Sequence, residues 1–129
     1  MSGTGIDSAD VRAWSLASGI GRVAIGVGML AAPQPALRAL GFAEVSPATV
    51  AVGRIAGIRD LVLGVLTLAA LEDPARLRAA TLANAAADAG DTLAFAGALG
   101  SGERTAGSLG IATALPATVV GLWTAWRLS

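Results

Sequence analysis

The chain has 129 residues, a formal net charge of zero, 54% hydrophobic and 14% charged residues, and a mean hydropathy of +0.68. It is one domain at most, more apolar and less charged than an ordinary soluble one, and its charge gives no sign of a nucleic-acid partner. It contains no Cys, His, Lys or Tyr, which excludes disulfides, thiol catalysis, iron–sulfur and Cys–zinc sites, imidazole acid–base chemistry and Schiff bases.

The start, Met1 to Asp10, is polar and carries Asp7 and Asp10. A signal peptide would open on a basic stretch, so the first apolar segment is expected to be retained. Four segments approach the ~20 residues that cross a bilayer: about 11–32, 48–71, 78–100 and 105–128. The fold expected is therefore all-α, a four-helix transmembrane bundle running up-down-up-down, as a single domain over 1–129. Pro33 and Pro35 stop the first helix, and Pro47 opens the second. Between them, Ala36 to Phe42 is compatible with a short interfacial helix showing Leu37, Leu40 and Phe42 to lipid, and equally with a loop. Glu72-Asp73-Pro74 and Gly100-Ser101-Gly102-Glu103-Arg104 are polar turns. The third segment is the weakest, because its small residues surround Asp88 and Asp91. It leaves a soluble, Ala-rich helical bundle as the alternative fold.

Arg12, Arg76, Arg78 and Arg127 fall on the N-terminal side of these segments, and Arg38 and Arg104 on the other. Arginine bias then puts both termini in the cytoplasm of a multi-pass protein of the bacterial inner membrane. Trp14, Trp123 and Trp126 fall on the same side, as an interfacial aromatic belt would, although Trp123 also suits plain packing.

Six charges interrupt the apolar segments: Arg22, Arg54, Arg59, Asp60, Asp88 and Asp91. Each would cost about 2.5–3.5 kcal/mol if unpaired at a helix centre, so they must pair or face a wet cavity. Reflecting each hairpin about its loop brings Arg22 level with Arg59 and Asp60, and Asp60 level with Asp88 and Asp91. Pro116 falls at the same level on the fourth helix and frees the carbonyl of Ala112. Thr81, Asn84, Asp88 and Asp91 form one helical stripe, and Ser15, Ser18 and Arg22 another. The pairing expected is Arg22 with Asp60, and Arg59 with Asp88 and Asp91. Arg54, nearer the outer side, is expected to reach Asp91 or to snorkel. Gly53 and Gly57 form a GxxxG continued by Gly64; Gly26 and Gly28 soften the first helix, and Gly90 and Gly97 line the third. Such faces allow close packing in lipid and would also serve a homodimer. Thr113 and Thr118 are expected to bond their own backbone.

These charges admit a structural reading, a salt-bridge network that fixes helix register, and a functional one, since intramembrane ionisable groups usually mark sites. The functional reading assigns ligand binding to Arg22, Arg54, Arg59, Asp60, Asn84, Asp88 and Asp91. The arginines suit a small anionic or quinone-like ligand. Asp88-x-x-Asp91 is too sparse for a magnesium site, and no metal is expected. A protein that binds a ligand or serves as an accessory subunit to a membrane partner is the leading reading. A membrane enzyme of isomerase or cyclase type, with Asp60, Asp88 or Asp91 as acid–base, is the second. A proton or solute transporter working as a dimer is the third.

The stretch Gly57-Ile58-Arg59-Asp60-Leu61-Val62-Leu63-Gly64, followed by Ala87-Asp88-Ala89-Gly90-Asp91, resembles a family of small bacterial four-helix membrane proteins, broadly similar to the DoxX-like group. The resemblance implies an inner-membrane bundle linked to quinone or thiol redox systems. The absence of cysteine puts a thiol role in doubt; no resident cofactor is expected, a quinone being the one the resemblance leaves open.

Overall fold

The computed structural model describes residues 8–129, and among these all regular structure is helical. The polar start read from Met1 to Asp7 lies outside the described residues. The elements are α1 (Ser8–Ala31), α2 (Pro33–Ala39), α3 (Pro47–Ala69), α4 (Pro74–Gly100) and α5 (Arg104–Arg127). The four long helices fall within a few residues of the expected segments, and proline with a capping residue marks the starts of α3 and α4. Ser46 accepts a hydrogen bond from the Thr49 amide ahead of Pro47. Asp73 accepts from the amides of Ala75 and Arg76 ahead of Pro74. Each satisfies amides that the first helical turn leaves unpaired.

The short helix differs from expectation. It starts at Pro33 and ends at Ala39, so Pro33 both closes α1 and opens α2, its fixed φ suiting a first helical position. Leu37 does not face outward. It is 4% exposed and fills the notch above Gly53. Leu40 and Phe42 turn into the cavity described below. Gly41 ends the element with φ at 91°, a conformation that side chains resist, and lies directly against Thr105 at the start of α5.

The long helices pack as two intimate antiparallel pairs, α1 with α3 and α4 with α5, while α3 and α4 barely touch. Glycine explains the first pair. Gly19 faces Gly64, and Gly26 faces Gly57, at heptad spacing on both helices. A Cβ on Gly26 would stand 2.7 Å from the Gly57 carbonyl oxygen, and one on Gly64 2.8 Å from that of Gly19. The backbones themselves are in contact, so this face admits no side chain. In the second pair, the Phe95 ring lies directly over Gly110, and Gly107 backs onto the Phe95 carbonyl and Leu99. Gly28, Gly90 and Gly97 face open space, with no neighbour within 4 Å of where a Cβ would stand; the expectation that Gly90 and Gly97 form a packing face is corrected.

Among the described residues, two helices are long and apolar enough to cross a membrane, Ala9–Ala31 and Arg104–Arg127. The sequence led us to expect four. In α3, Arg54, Arg59 and Asp60 interrupt the apolar run, and in α4 the alanines around Asp88 and Asp91 are too weakly apolar.

Replacing Gly26 or Gly64 by alanine is expected to destabilise the fold by about 1–3 kcal/mol. Gly97→Ala should be neutral or stabilising by up to about 1 kcal/mol. Denaturant unfolding of the purified protein measures both, and the opposite ranking would mean that α1 and α3 do not meet through these glycines.

Candidate functional site

Arg22, Asp60 and Asp88 stand near the middle of α1, α3 and α4, where the two helical pairs face one another. Arg22 Nη1 donates to Asp60 Oδ1 at 2.7 Å, and Nη2 donates to Asp88 Oδ1 at 2.6 Å and to the Asn84 carbonyl at 3.4 Å. The three side chains are only 10–12% exposed. Arg59 grips both oxygens of Asp91, at 2.6 and 2.8 Å, and its Nη2 also reaches Asp60 Oδ1 at 3.3 Å. Asp60 Oδ1 thus joins the two guanidinium groups into one lattice spanning three helices.

The expected pairing is modified. Arg22 does meet Asp60, and Arg59 does meet Asp91, but Asp88 goes to Arg22 rather than to Arg59. One arginine on α1 can bridge α3 and α4 because its long stem crosses the gap between the helical pairs. Arg59 and Asp60 point in different directions, yet Arg59 is long enough to bend back to its neighbour. Arg54 is no part of the lattice. It lies exposed beside Val52 and Ile55 and makes no ion pair with Asp91.

Below the lattice, Asn84 Nδ2 donates to Thr67 Oγ1 at 2.9 Å. Thr67 spends its own proton on the Leu63 carbonyl, so its oxygen can only accept, and this fixes the amide of Asn84. The Asn84 Oδ1 atom is left without a donor. The Nε atoms of Arg22 and Arg59 are likewise buried and without an acceptor. Asp60 Oδ2 and Asp88 Oδ2 receive no hydrogen bond among the described residues. Of these atoms only Asn84 Oδ1 and the two Nε groups are fully buried, and a buried polar group without a partner carries a desolvation cost.

The residues that carry these groups line one cavity of about 560 Å³ between the two helical pairs. Its polar wall is formed by both predicted stripes, Ser15, Ser18 and Arg22 on α1 and Thr81, Asn84, Asp88 and Asp91 on α4. Its apolar wall comes from Phe42, Phe95 and the small residues of α5 such as Ala114 and Ala117. Thr113 and Thr118 donate to their own backbone, as expected. Pro116 is exposed and stays outside the wall. A larger hollow of about 750 Å³ lies at the other end, beside Arg12, Glu72 and Trp126. Arg12 and Glu72 satisfy one another there, and the hollow holds none of the orphaned atoms.

Sequence reasoning missed Thr67, although it lies two helical turns beyond Asp60 on the same face of α3. It also missed Phe95 and the α5 wall, which carry no polar signal. Among the described residues no group of three or more carboxylates could hold a metal ion.

Arg22→Met is expected to cost about 3–5 kcal/mol, since it strands Asp60 and Asp88. Adding Asp60→Asn and Asp88→Asn to it should recover most of that loss, while Arg54→Gln should change stability by less than about 0.5 kcal/mol. Unfolding free energies of these variants give the comparison. The chain matches no protein-family model, no curated protein and no solved structure.

Proposed function

We propose that the chain is a multi-pass membrane protein that binds a small, largely apolar ligand in the cavity between its helical pairs. The observation that carries the reading is an inversion of polarity. The buried positions are rich in Gly, Ala, Thr, Ser, Asn, Asp and Arg. The exposed positions include Ile20, Ile25, Ile55, Val62, Leu93 and Leu122, each more than half exposed. Water would drive these large side chains inward. Lipid tails are as apolar as the side chains are, so in a bilayer helices associate through small residues and polar bonds. In the two helices long and apolar enough to cross a membrane, only 28% of the spanning window is buried, unlike the core helix of a soluble fold.

On this reading α3 and α4 also cross the membrane, up-down-up-down with α1 and α5, because their charges are neutralised by partners rather than shown to lipid. The arginine distribution puts both termini in the cytoplasm of a bacterial inner membrane. Arg54, exposed near the outer end of α3, snorkels to the headgroups. The cavity lies within the ~300–1,000 Å³ range of small-molecule sites, with an apolar wall and a few convergent polar groups. The DoxX-like resemblance suggests a quinone-like occupant and agrees with this architecture.

The chain has no native cysteine, which makes topology directly testable. Glu44→Cys and Ser101→Cys should react with an impermeant maleimide in intact cells. Glu72→Cys and Ser129→Cys should react only after permeabilisation, and Val62→Cys in neither state. Labelling of Glu72→Cys from the same side as Glu44→Cys would refute the four crossings. Solvent extraction of protein purified in native lipid should release an equimolar small molecule. Ala117→Phe, which fills the cavity wall, should abolish its retention without unfolding the protein.

A further inference from the structure

We infer that the cavity is filled sideways from the bilayer, through a slit between α1 and α5, and that it takes a single hydrocarbon chain of a membrane-dissolved lipid. This assignment rests on the membrane-spanning, ligand-binding reading above and adds the class of the occupant and its route.

Both ends of the cavity are closed. Where α1 begins and α5 finishes, Ser15, Thr67, Thr81 and Thr124, one from each long helix, are all 5% exposed or less. They form a filled floor, and beside it Arg78 Nε ties α4 to the Ala125 carbonyl of α5. At the opposite end the connection between α2 and α3 lies across the mouth. Leu40 and Phe42 line the cavity there, Gly41 lies directly against Thr105, and Ala106 beside it is fully buried.

The flank is open. Helices α1 and α5 scarcely touch, yet Gly21 and Ile25 of α1 line the same cavity as Thr113 and Ala117 of α5. Ile25 and Thr113 are exposed and Ala117 is half-buried. A Cβ on Gly21 would meet nothing within 4 Å. In a chain that spans a membrane this flank faces hydrocarbon. A lipid-dissolved molecule then reaches the cavity without passing a packed layer, whereas a hydrated solute would first have to shed its water.

Dimensions select the occupant. On α1 the wall runs from Trp14 to Met29, about 22 Å at the helical rise of ~1.5 Å per residue. Spread over that length, the volume of about 560 Å³ gives a mean section of about 25 Å², or about 5 Å a side. A helix with its side chains is ~10–12 Å across, so a helix of a second copy or of a partner subunit does not fit. One hydrocarbon chain does, at carbon–carbon contacts of about 3.5–4.0 Å. The part of the wall toward α2 is apolar, with Ile25, Met29, Val52, Ala94, Phe95 and Ala98, and Thr113 spends its hydroxyl on its own backbone. Arg59 and Asp91, the most exposed members of the lattice, hold one another through two hydrogen bonds, so the chain passes a neutralised pair rather than a bare charge.

Three photoactivatable probes test the assignment: a phosphatidylcholine with a diazirine on its hexadecanoyl chain, a diazirine-bearing hexadecan-1-ol, and the water-soluble photoleucine. Each is illuminated with the full chain in phosphatidylcholine nanodiscs, and labelled positions are read by peptide mass spectrometry. Ala114 and Ala117, inside the cavity, should take label from one or both lipid probes and none from photoleucine. The outward-facing Leu115 and Leu122 serve as reference. Label from the alcohol alone assigns a free chain, and label from both a chain still carried on its glycerolipid; each supports the hydrocarbon occupant. Gly21→Phe, which fills the slit where there is no neighbour to displace, should remove the label at Ala114 and Ala117 and keep it at Leu115 and Leu122. Should that variant fail to fold, Gly21→Leu makes the same comparison. Label that persists in the folded variant overturns the slit. Label from photoleucine at Ala114 or Ala117 overturns the sideways route and, without label from either lipid probe, the hydrocarbon occupant too, while the cavity remains a binding site. Absence of label there from all three overturns the binding reading as well.

Discussion

The ion-pair lattice of Arg22 and Arg59 with Asp60, Asp88 and Asp91 is what joins this molecule. Within each helical pair, glycine and alanine bring backbones into contact. Between the pairs there is little apolar contact, and α3 and α4 share only a narrow seam. The links across that seam are ionic or polar: Arg22 to Asp88, Arg59 to Asp91 and Asn84 to Thr67. A buried pair of this kind contributes modestly to net stability but is costly to break, because the surviving partner stays desolvated. The relative position of the two halves is thus set by a few directional contacts and by the approach of Gly41 to Thr105.

Glycine and charge depend on one another. The Gly19–Gly64 and Gly26–Gly57 contacts set the register of α1 against α3, and Arg22 lies between the two glycines of α1 as Asp60 lies between those of α3. Close approach is what lets Arg22 reach past α3 and still touch α4. A larger residue at these glycines would push the helices apart, lengthen the 2.7 Å Arg22–Asp60 contact and slide the lattice out of register. Small residues inside and large apolar residues outside are two aspects of the same arrangement: the interior is reserved for directional bonds, and dispersion with the surroundings falls to the outer face.

Much of this was legible in the sequence because helical structure is periodic. The stripes Ser15/Ser18/Arg22 and Thr81/Asn84/Asp88/Asp91 follow from 3.6 residues per turn, and reflection about each loop brought Arg22 and Asp60 to one level. Which acid met which arginine was not legible, since Asp88 and Asp91 differ by only a small rotation on α4 and the outcome depends on where α1 lies relative to it. Of the two courses open to Arg54, reaching Asp91 or snorkelling outward, the sequence could not choose, and the structure leaves it exposed and without an ion pair to Asp91. The burial of Leu37 was not legible, whether its segment was read as an interfacial helix or as a loop, because nothing in its neighbours announces the notch at Gly53. A cavity beside the charges was one of the two expectations, but its extent was not legible, as it arises from the gap between two pairs and is walled on one side mainly by alanines and glycines.

The structural and the functional readings of the charges need not compete, because they use different atoms. The terminal nitrogens of both arginines, Asp60 Oδ1, Asp88 Oδ1 and both oxygens of Asp91 are occupied in holding three helices together. The Nε atoms, Asp60 Oδ2, Asp88 Oδ2 and Asn84 Oδ1 are the remainder, and they belong to side chains that border the cavity. A purely structural lattice would gain by pairing every group, since each orphan carries a desolvation cost with no return. On the proposed binding reading, the polar side chains around this apolar hollow are the groups that a bound partner would meet.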